Sequence, residues 1–224
     1  MAELFAYMGW SLWFNKNAKR VGSTSLPTDK IFSDGVERLQ EYHSMQDYPT
    51  QQDVVSHSTQ WRPPPHSVYK VNFDGATFID MDSAGLGLVA RDSDGMVIAS
   101  LSECIRLPPT IADLEALACR RAILFALELG LQDVVLEGDS EVIINHLKVD
   151  QPCLTAFGHI IEEARTLLAK LRQASYSHTR CKGNKVADKL AKLAKNLYEP
   201  QVCMEDIHSN ALQYVFFDRG VMPV

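Results

Sequence analysis

The hydrophobic period changes partway along the chain, and this change limits the possible folds more than any other feature. Before residue 105, three short runs are rich in β-forming residues, at 68–73, 85–90 and 96–104. The last two flank a polar segment that ends in Asp94-Gly95, a typical hairpin turn. Short turns between consecutive strands predict that these three strands are antiparallel.

Helical and strand patterns alternate in the second half of the chain. Helices are predicted at 110–130, 140–148, 154–173 and 184–198, and short strands at 134–136 and 175–179. The first of these helices stops at Gly130, as expected for a helix C-terminus. The order β-β-β-α-β-α-α-β-α predicts an α/β fold with a five-stranded mixed sheet, its first three strands antiparallel, flanked by helices.

The texture of the sequence predicts three segments. Residues 1–66 form an N-terminal extension and linker that finishes on three prolines at 63–65, which disfavour a helix. Residues 67–198 carry the strong periodicities and are predicted to be the folded domain, and residues 199–224 a C-terminal tail. A length of 224 residues with 46% apolar residues suits one good-sized domain with extensions.

Several classes of protein are excluded by composition. The apolar stretch at 2–14 is interrupted by Glu3 and is shorter than the roughly 20 residues that span a bilayer, so no membrane partner is expected. The start also lacks the basic leading region of a secretory signal, which predicts an intracellular protein, in the nucleus or the cytoplasm, that is not secreted. The five cysteines include no closely spaced pair, which argues against a zinc site.

Four acidic residues fall at the ends of predicted elements: Asp74, Glu115, Asp139 and Asp188. Each alone has an ordinary explanation, as a turn residue, a helix-start residue, a helix cap or half of a surface ion pair. In an open α/β sheet, however, strand ends and helix starts converge on one crevice. Carboxylates gathered there need cations, and oxygen-only ligands select Mg²⁺ or Mn²⁺ over zinc. Two such ions can hydrolyse a phosphodiester with water.

The segments around these acids resemble the four signature segments of ribonuclease H-like domains. They comprise residues 71–76, 114–118, 136–140 and 184–191, and the resemblance covers roughly residues 61–198. The sequence looks most like the reverse-transcriptase-associated type that plant non-LTR retrotransposons carry. The resemblance implies the ribonuclease H-like fold and cleavage of the RNA strand of RNA/DNA hybrids.

The resemblance also implies roles for individual residues. It implies that two Mg²⁺ ions, or Mn²⁺ in their place, are held by the catalytic set Asp74, Glu115, Asp139 and Asp188. His178, ten positions before Asp188, matches a mobile histidine that shuttles protons or helps product leave. Asn184, four positions before Asp188, matches an asparagine beside the substrate.

The distribution of charge predicts a nucleic-acid partner. The whole chain has a net charge of −6, yet residues 170–195 hold eight basic residues and one acid, a local charge of +7. Arg180, Lys182 and Lys185 bracket the predicted site and suit phosphate contacts. An RNA/DNA hybrid is read by its shape and its 2′-hydroxyls, for which Gly75 and the Ser140 hydroxyl are predicted contacts.

Three functions are compatible with these features. The leading prediction is a metal-dependent endonuclease that hydrolyses the RNA strand of RNA/DNA hybrids. The second is a catalytically weak or inactive nucleic-acid-binding module derived from a retroelement, because the interval between Asp139 and Asp188 is short for the basic handle helix of some type 1 enzymes. A 3′–5′ exonuclease is the third, although Asp74-Gly75-Ala76 offers only one acid where that class places an Asp-x-Glu pair.

Overall fold

The computed structural model describes residues 61–149 and 151–220, so the predicted N-terminal extension lies outside the described residues up to position 60. The strands of this part of the chain are β1 (Tyr69–Phe78), β2 (Ser83–Arg91), β3 (Val97–Arg106), β4 (Asp133–Gly138), β5 (Gln173–His178) and β6 (Gln201–Met204). Its α-helices are α1 (Ile111–Glu128), α2 (Glu141–Lys148), α3 (Gly158–Leu168), α4 (Lys185–Leu193) and α5 (Ser209–Asp218). None of the described helices is long and apolar enough to cross a bilayer.

The strands form one mixed sheet in the order β5-β4-β1-β2-β3-β6. The hairpin-linked strands β1, β2 and β3 are antiparallel, and β4 and β5 run parallel to β1. The mixed α/β architecture is therefore confirmed, but the prediction of five strands is wrong. The sixth strand, β6, pairs with β3 inside the segment that the sequence assigns to the C-terminal tail. It is only four residues long and mostly exposed, so it carries no apolar alternation that a sequence pattern could reveal.

Three elements differ clearly in length from their predictions. Strand β1 continues past Asp74 to Phe78, because residues 75–78 keep pairing with β2, and Asp74 lies in mid-strand opposite Gly87. The third predicted helix is shorter at both ends, and its C-terminal end comes early because β5 already begins at Gln173 and needs a turn before it. The last predicted helix ends at Leu193, where a short 3-10 turn follows. Helix α1 matches its prediction, and Thr110 and Asp113 form a capping box at its start.

Helices cover both faces of the sheet. The larger core lies between the sheet and helices α1, α2 and α3, where Phe73, Leu136 and Ile123 are fully buried. The smaller core lies on the opposite face, where Val89 of β2 packs against α4 and α5. Since successive strand residues point to opposite faces, Leu88 joins the first core and Val89 the second.

Two glycines of β2 let α4 pack directly on the sheet. A β-carbon at Gly85 would lie 2.1 Å from the carbonyl oxygen of Ala191, and one at Gly87 would lie 2.1 Å from the Ala191 nitrogen. The Ser102 hydroxyl of β3 donates to the carbonyl of Leu190 at 2.9 Å and fixes the helix from the next strand. This close approach places α4, which carries Asp188, beside the strand that pairs with β1.

Replacing Gly87 with alanine is expected to destabilise the protein by roughly 1–3 kcal/mol, because the new methyl group must push the backbone of α4 away from the sheet. Urea unfolding followed by circular dichroism measures the loss. The control is Gly130→Ala, where φ is +71° but no atom lies within 4 Å of the added carbon, so only backbone strain is introduced. An equal or smaller loss for Gly87→Ala than for the control would contradict the close-packing account.

Candidate metal centre

Three carboxylates from three elements meet beside the C-terminal end of β4. Asp74 lies on β1, Glu115 one turn into α1, and Asp139 directly after β4. One ligand oxygen from each lies within 4.8 Å of the other two. The parallel register of β1 and β4 brings two of these acids together. Asn72 lies opposite Glu137, and Asp74 and Asp139 each follow two positions later in the chain.

Helix α1 reaches the strands because Gly75 has no side chain. A β-carbon at Gly75 would lie 2.5 Å from Cγ of Leu114, the residue before Glu115. The Gly75 amide, predicted to contact the substrate, donates a hydrogen bond to Oδ1 of Asp74 at 2.9 Å. Gly75 therefore sets both the approach of α1 and the orientation of the Asp74 carboxylate.

Two members of this cluster, Asp74 and Glu115, hold their protons unusually tightly. Burial is the largest cause that raises the pKa of Asp74 to about 8, followed by the charge of Asp139, while the hydrogen bond from Gly75 opposes the rise. Burial also raises the pKa of Glu115 to about 9, with further contributions from Asp74 and Asp139. Lys192 lowers the pKa of Asp74, but among the described residues no positive charge fully offsets the burial and mutual repulsion of this cluster.

One oxygen of the cluster has no partner among the described residues. The Oε2 atom of Glu115 is buried and makes no hydrogen bond within the described part of the chain. A buried carboxylate oxygen without a partner is costly unless something outside the protein binds it. Three converging carboxylates with such an orphan oxygen fit a hard divalent cation such as Mg²⁺ or Mn²⁺, which prefers oxygen ligands.

The fourth predicted ligand, Asp188, lies close to this cluster but outside it. Its charge contributes to the raised pKa of Asp74, so the two carboxylates are neighbours. Its Oδ1 and Oδ2 atoms accept from the Lys192 ammonium group at 2.6 and 2.8 Å. Asp188 therefore has a cation of its own, supplied by the next turn of the same helix.

Two further predicted residues flank the carboxylates in different ways. His178 ends β5 and places Nε2 3.1 Å from the backbone carbonyl oxygen of Asp139. Asn184 is only 1% exposed, and its amide donates to the carbonyl of Phe73 at 2.8 Å while its oxygen accepts from Asn72. The structure thus places Asn184 in the interior, where internal partners use both ends of its amide.

The remaining predicted substrate contacts lie around the loop between β5 and α4 and at the start of α2. Arg180 and Lys182 are exposed in that loop. Lys185 is partly buried, with its ammonium group 5.4 Å from the centre of the Phe217 ring. Ser140 precedes α2, and its hydroxyl makes no capping hydrogen bond there.

Cys181 is a neighbour of the site that the sequence does not reveal. Its exposed thiol lies beside Asp139, and interaction with that carboxylate raises the pKa of the thiol. A cysteine without a spaced partner carries no motif, so only the fold brings this thiol to the carboxylates.

Comparison with known proteins gives the same fold. A family model described as "Reverse transcriptase-like" matches residues 72–194, more than half of the chain. The RNase H1 of Halobacterium salinarum NRC-1 superposes with a TM-score of 0.52 at 27% identity, covering 57% of this chain and 96% of its own. The N-terminal RNase H domain of a Mycobacterium tuberculosis protein gives 0.51 at 22% identity, covering 57% and 92%. No curated protein matches significantly.

The matched segment contains β1, α1, β4 and α4, the elements that carry the four acids. The structural matches cover nearly all of the ribonuclease H chains and 57% of this one. The chain therefore belongs to the reverse transcriptase-like family and carries a ribonuclease H-like domain.

Proposed function

We propose that this chain is a metal-dependent endonuclease that hydrolyses the RNA strand of RNA/DNA hybrids. The observation that carries the proposal is the convergence of Asp74, Glu115 and Asp139 within 4.8 Å, with the Oε2 atom of Glu115 buried and unpartnered. Such an arrangement costs folding free energy and gains nothing for a purely structural domain. It has a function when divalent cations bind there.

Each residue of the site has a separate task in this proposal. Asp74, Glu115 and Asp139 hold the metal, and Asp188 joins them once Lys192 releases it. When bound, Mg²⁺ supplies the Lewis acidity that activates water and stabilises charge on the leaving oxygen. His178 lies beside Asp139, where its imidazole can carry a proton between the site and solvent.

The substrate side of the proposal rests on charge and on a related structure. Arg180 and Lys182 are exposed and flank Cys181, a neighbour of Asp139, so they can contact phosphates next to the cleaved bond. The Ser140 hydroxyl is free of capping and can contact a ribose or phosphate oxygen. An RNase H1 termed LC11, with a TM-score of 0.50 at 22% identity over 56% of this chain and 95% of its own, was crystallised with an RNA/DNA hybrid. That hybrid is the substrate class we propose here.

A substrate panel tests the proposal. The purified chain is incubated with an RNA/DNA hybrid, single-stranded RNA and duplex DNA of one sequence, each with Mg²⁺ or with a chelator. We expect cleavage within the RNA strand of the hybrid, in Mg²⁺ only, leaving 5′-phosphate and 3′-hydroxyl ends. Equal cleavage of single-stranded RNA, or cleavage that survives the chelator, would overturn the proposal.

The second candidate is a nucleic-acid-binding module with little turnover, and the pairing of Asp188 with Lys192 favours it. With Asp188 neutralised internally, three carboxylates remain for cations. Such a module would bind the hybrid through Arg180 and Lys182 but would not cleave it. Hybrid binding without cleavage in the panel, over a range of Mg²⁺ and Mn²⁺ concentrations, would establish this candidate.

The Lys192→Met variant is expected to bind Mg²⁺ more tightly than the wild type, by up to about fivefold. The reason is that the ion must compete with the Lys192 ammonium group for Asp188, and a partly exposed ion pair is worth up to about 1 kcal/mol. Isothermal titration calorimetry of the metal-free protein with Mg²⁺ measures the dissociation constant. Lys189→Met, on the same helix, is the matched control for the loss of one positive charge; an equal gain in both variants would show a general charge effect instead.

A further inference from the structure

A buried polar network lies on the side of the sheet that faces α4 and α5. Its centre is Asn72, whose Oδ1 accepts from the Trp61 indole and from the Arg91 guanidinium group, both at 2.9 Å. Its Nδ2 donates to Glu137 at 3.0 Å and to Asn184 at 3.3 Å. All five side chains are nearly or completely buried.

The network includes residues from three of the four segments that carry the acids, and in each segment the network residue precedes the acid in the chain. Asn72 precedes Asp74 by two residues on β1, and Glu137 precedes Asp139 by two at the end of β4. Side chains two residues apart on a strand point to the same face, so Asn72 and Asp74 are neighbours on one face of β1. A shift of Asn72 is therefore expected to move Asp74 and to change the geometry of the metal centre.

The connection to Asp188 runs through Asn184. Its side chain links Asn72 to the carbonyl of Phe73, the residue before Asp74. Its own carbonyl accepts from the backbone amide of Asp188 at 3.0 Å. The first turn of α4 is thus fixed to β1 by a single buried side chain.

Two ends of the network lie outside the segment that matches the family model. Trp61 precedes β1, and the Arg91 guanidinium carbon lies 3.6 Å from the centre of its ring. Asp218 ends α5, and its Oδ2 accepts from Nη1 of Arg91 at 2.7 Å, with side chains only 1% and 2% exposed. The flanks of the domain therefore hold Arg91 in place: the Trp61 ring packs against its guanidinium group, and Asp218 balances its charge. Arg91 in turn donates to Asn72.

A buried ion pair is a poor device for stability alone, because packed apolar residues of similar volume serve as well or better. Arg91 does more than pair with Asp218, since a second nitrogen, Nη2, orients Asn72. An apolar pair could replace the stability but could not donate this hydrogen bond. The arrangement is explained if the orientation of Asn72 is what matters.

We propose that Arg91, held by Trp61 and Asp218, is a positioning residue that aligns the metal-binding carboxylates through Asn72 and Asn184. This inference rests on the proposed function, because it names what the flanking segments contribute to that site. The working unit then extends from Trp61 to Asp218, beyond the predicted limits of 67–198.

The test uses the full chain and an apolar replacement of the pair, Arg91→Met/Asp218→Leu, which removes both charges together so that neither is left buried alone. The matched control is Arg121→Met/Glu103→Leu, a pair between α1 and β3 with N–O distance 2.8 Å that lies outside the network. The measurements are the Mg²⁺ dissociation constant from isothermal titration calorimetry, kcat and KM on the hybrid, and hydrogen exchange of the Asp188 amide.

We expect the network variant to need about 10–100 times more Mg²⁺ and to lose kcat more than it changes KM, as loss of an outer-shell partner does at metal sites. We also expect at least tenfold faster exchange of the Asp188 amide, and no such change in the control. A folded network variant with wild-type Mg²⁺ affinity and wild-type exchange would overturn the inference.

Two further outcomes remain decisive. Arg91→Lys keeps the charge beside Asp218 but lacks the second nitrogen that reaches Asn72, so it serves if the double variant does not fold; wild-type values in this variant would also overturn the inference. If the wild type shows no Mg²⁺-induced Tm rise, the proposed function fails, while amide exchange still decides whether Arg91 positions α4.

Discussion

The Asp74→Asn variant is expected to be almost inactive on the hybrid and yet more stable than the wild type in metal-free buffer at pH 7.5. Folding buries Asp74 beside Asp139 and raises its pKa from 3.8 to about 8. An amide at this position removes the charge and its desolvation cost but can still accept the hydrogen bond from Gly75. We expect a gain on the order of 2 kcal/mol, or roughly 4–8 °C in Tm.

The loss of activity has a separate reason. A carboxylate that holds the metal contributes several kcal/mol to transition-state stabilisation, so the rate should fall by on the order of 1,000-fold. The control is Asp94→Asn in the exposed β2–β3 hairpin, which should change neither stability nor rate. A Tm below that of the wild type would contradict the view that the carboxylates repel one another.

The metal-free wild type is expected to become less stable as the pH rises from about 4 to about 9. Asp74 and Glu115 have raised pKa values of about 8 and about 9, so in this range the folded protein binds more protons than the unfolded chain. The free energy of unfolding falls with rising pH wherever that is so. The stability that these two protons provide is complete at low pH and is lost as the pH passes the folded values.

Saturating Mg²⁺ is expected to reverse this loss. The ion binds only deprotonated carboxylates, so it should raise Tm more at pH 8 than at pH 5.5, and a concentration of 100 times Kd should add about 2.7 kcal/mol. Thermal scans in chelator and in Mg²⁺ across this pH range measure both effects. A Mg²⁺ effect of the same size at both pH values, or a metal-free Tm that rises with pH, would contradict the assignment of the site.

The strands and helices that bury regular apolar patterns could be predicted from the sequence, and those held by polar or glycine contacts could not. Helix α1 is predictable because its cap, apolar face and final Gly130 agree with one another. Strand β6 escapes prediction because its stability comes from backbone pairing with β3 and not from buried side chains. The continuation of β1 past Asp74 is missed because a charged residue in mid-strand mimics a strand end.

The candidate site follows the same division. The residue types and their order along the chain predict that four acids meet, since they identify the elements that carry them; Asp74, Glu115 and Asp139 lie together, and Asp188 lies next to them, paired with Lys192. The hydrogen-bond partners of the side chains could not be predicted from the sequence, because they depend on the register of β1 against β2 and on the packing of α4. For this reason the sequence predicts a substrate contact for Asn184, which is buried in the network, and gives no sign that Arg91 lies behind the site.

In the proposed function, the three-carboxylate cluster binds the metal on which cleavage of the RNA strand of a hybrid depends. The most direct test compares the wild type and Asp139→Asn on a labelled RNA/DNA hybrid in Mg²⁺, with both proteins shown to be folded. We expect cleavage by the wild type and a rate lower by on the order of 1,000-fold in the variant. An Asp139→Asn protein that cleaves the hybrid at the wild-type rate would contradict the proposed function.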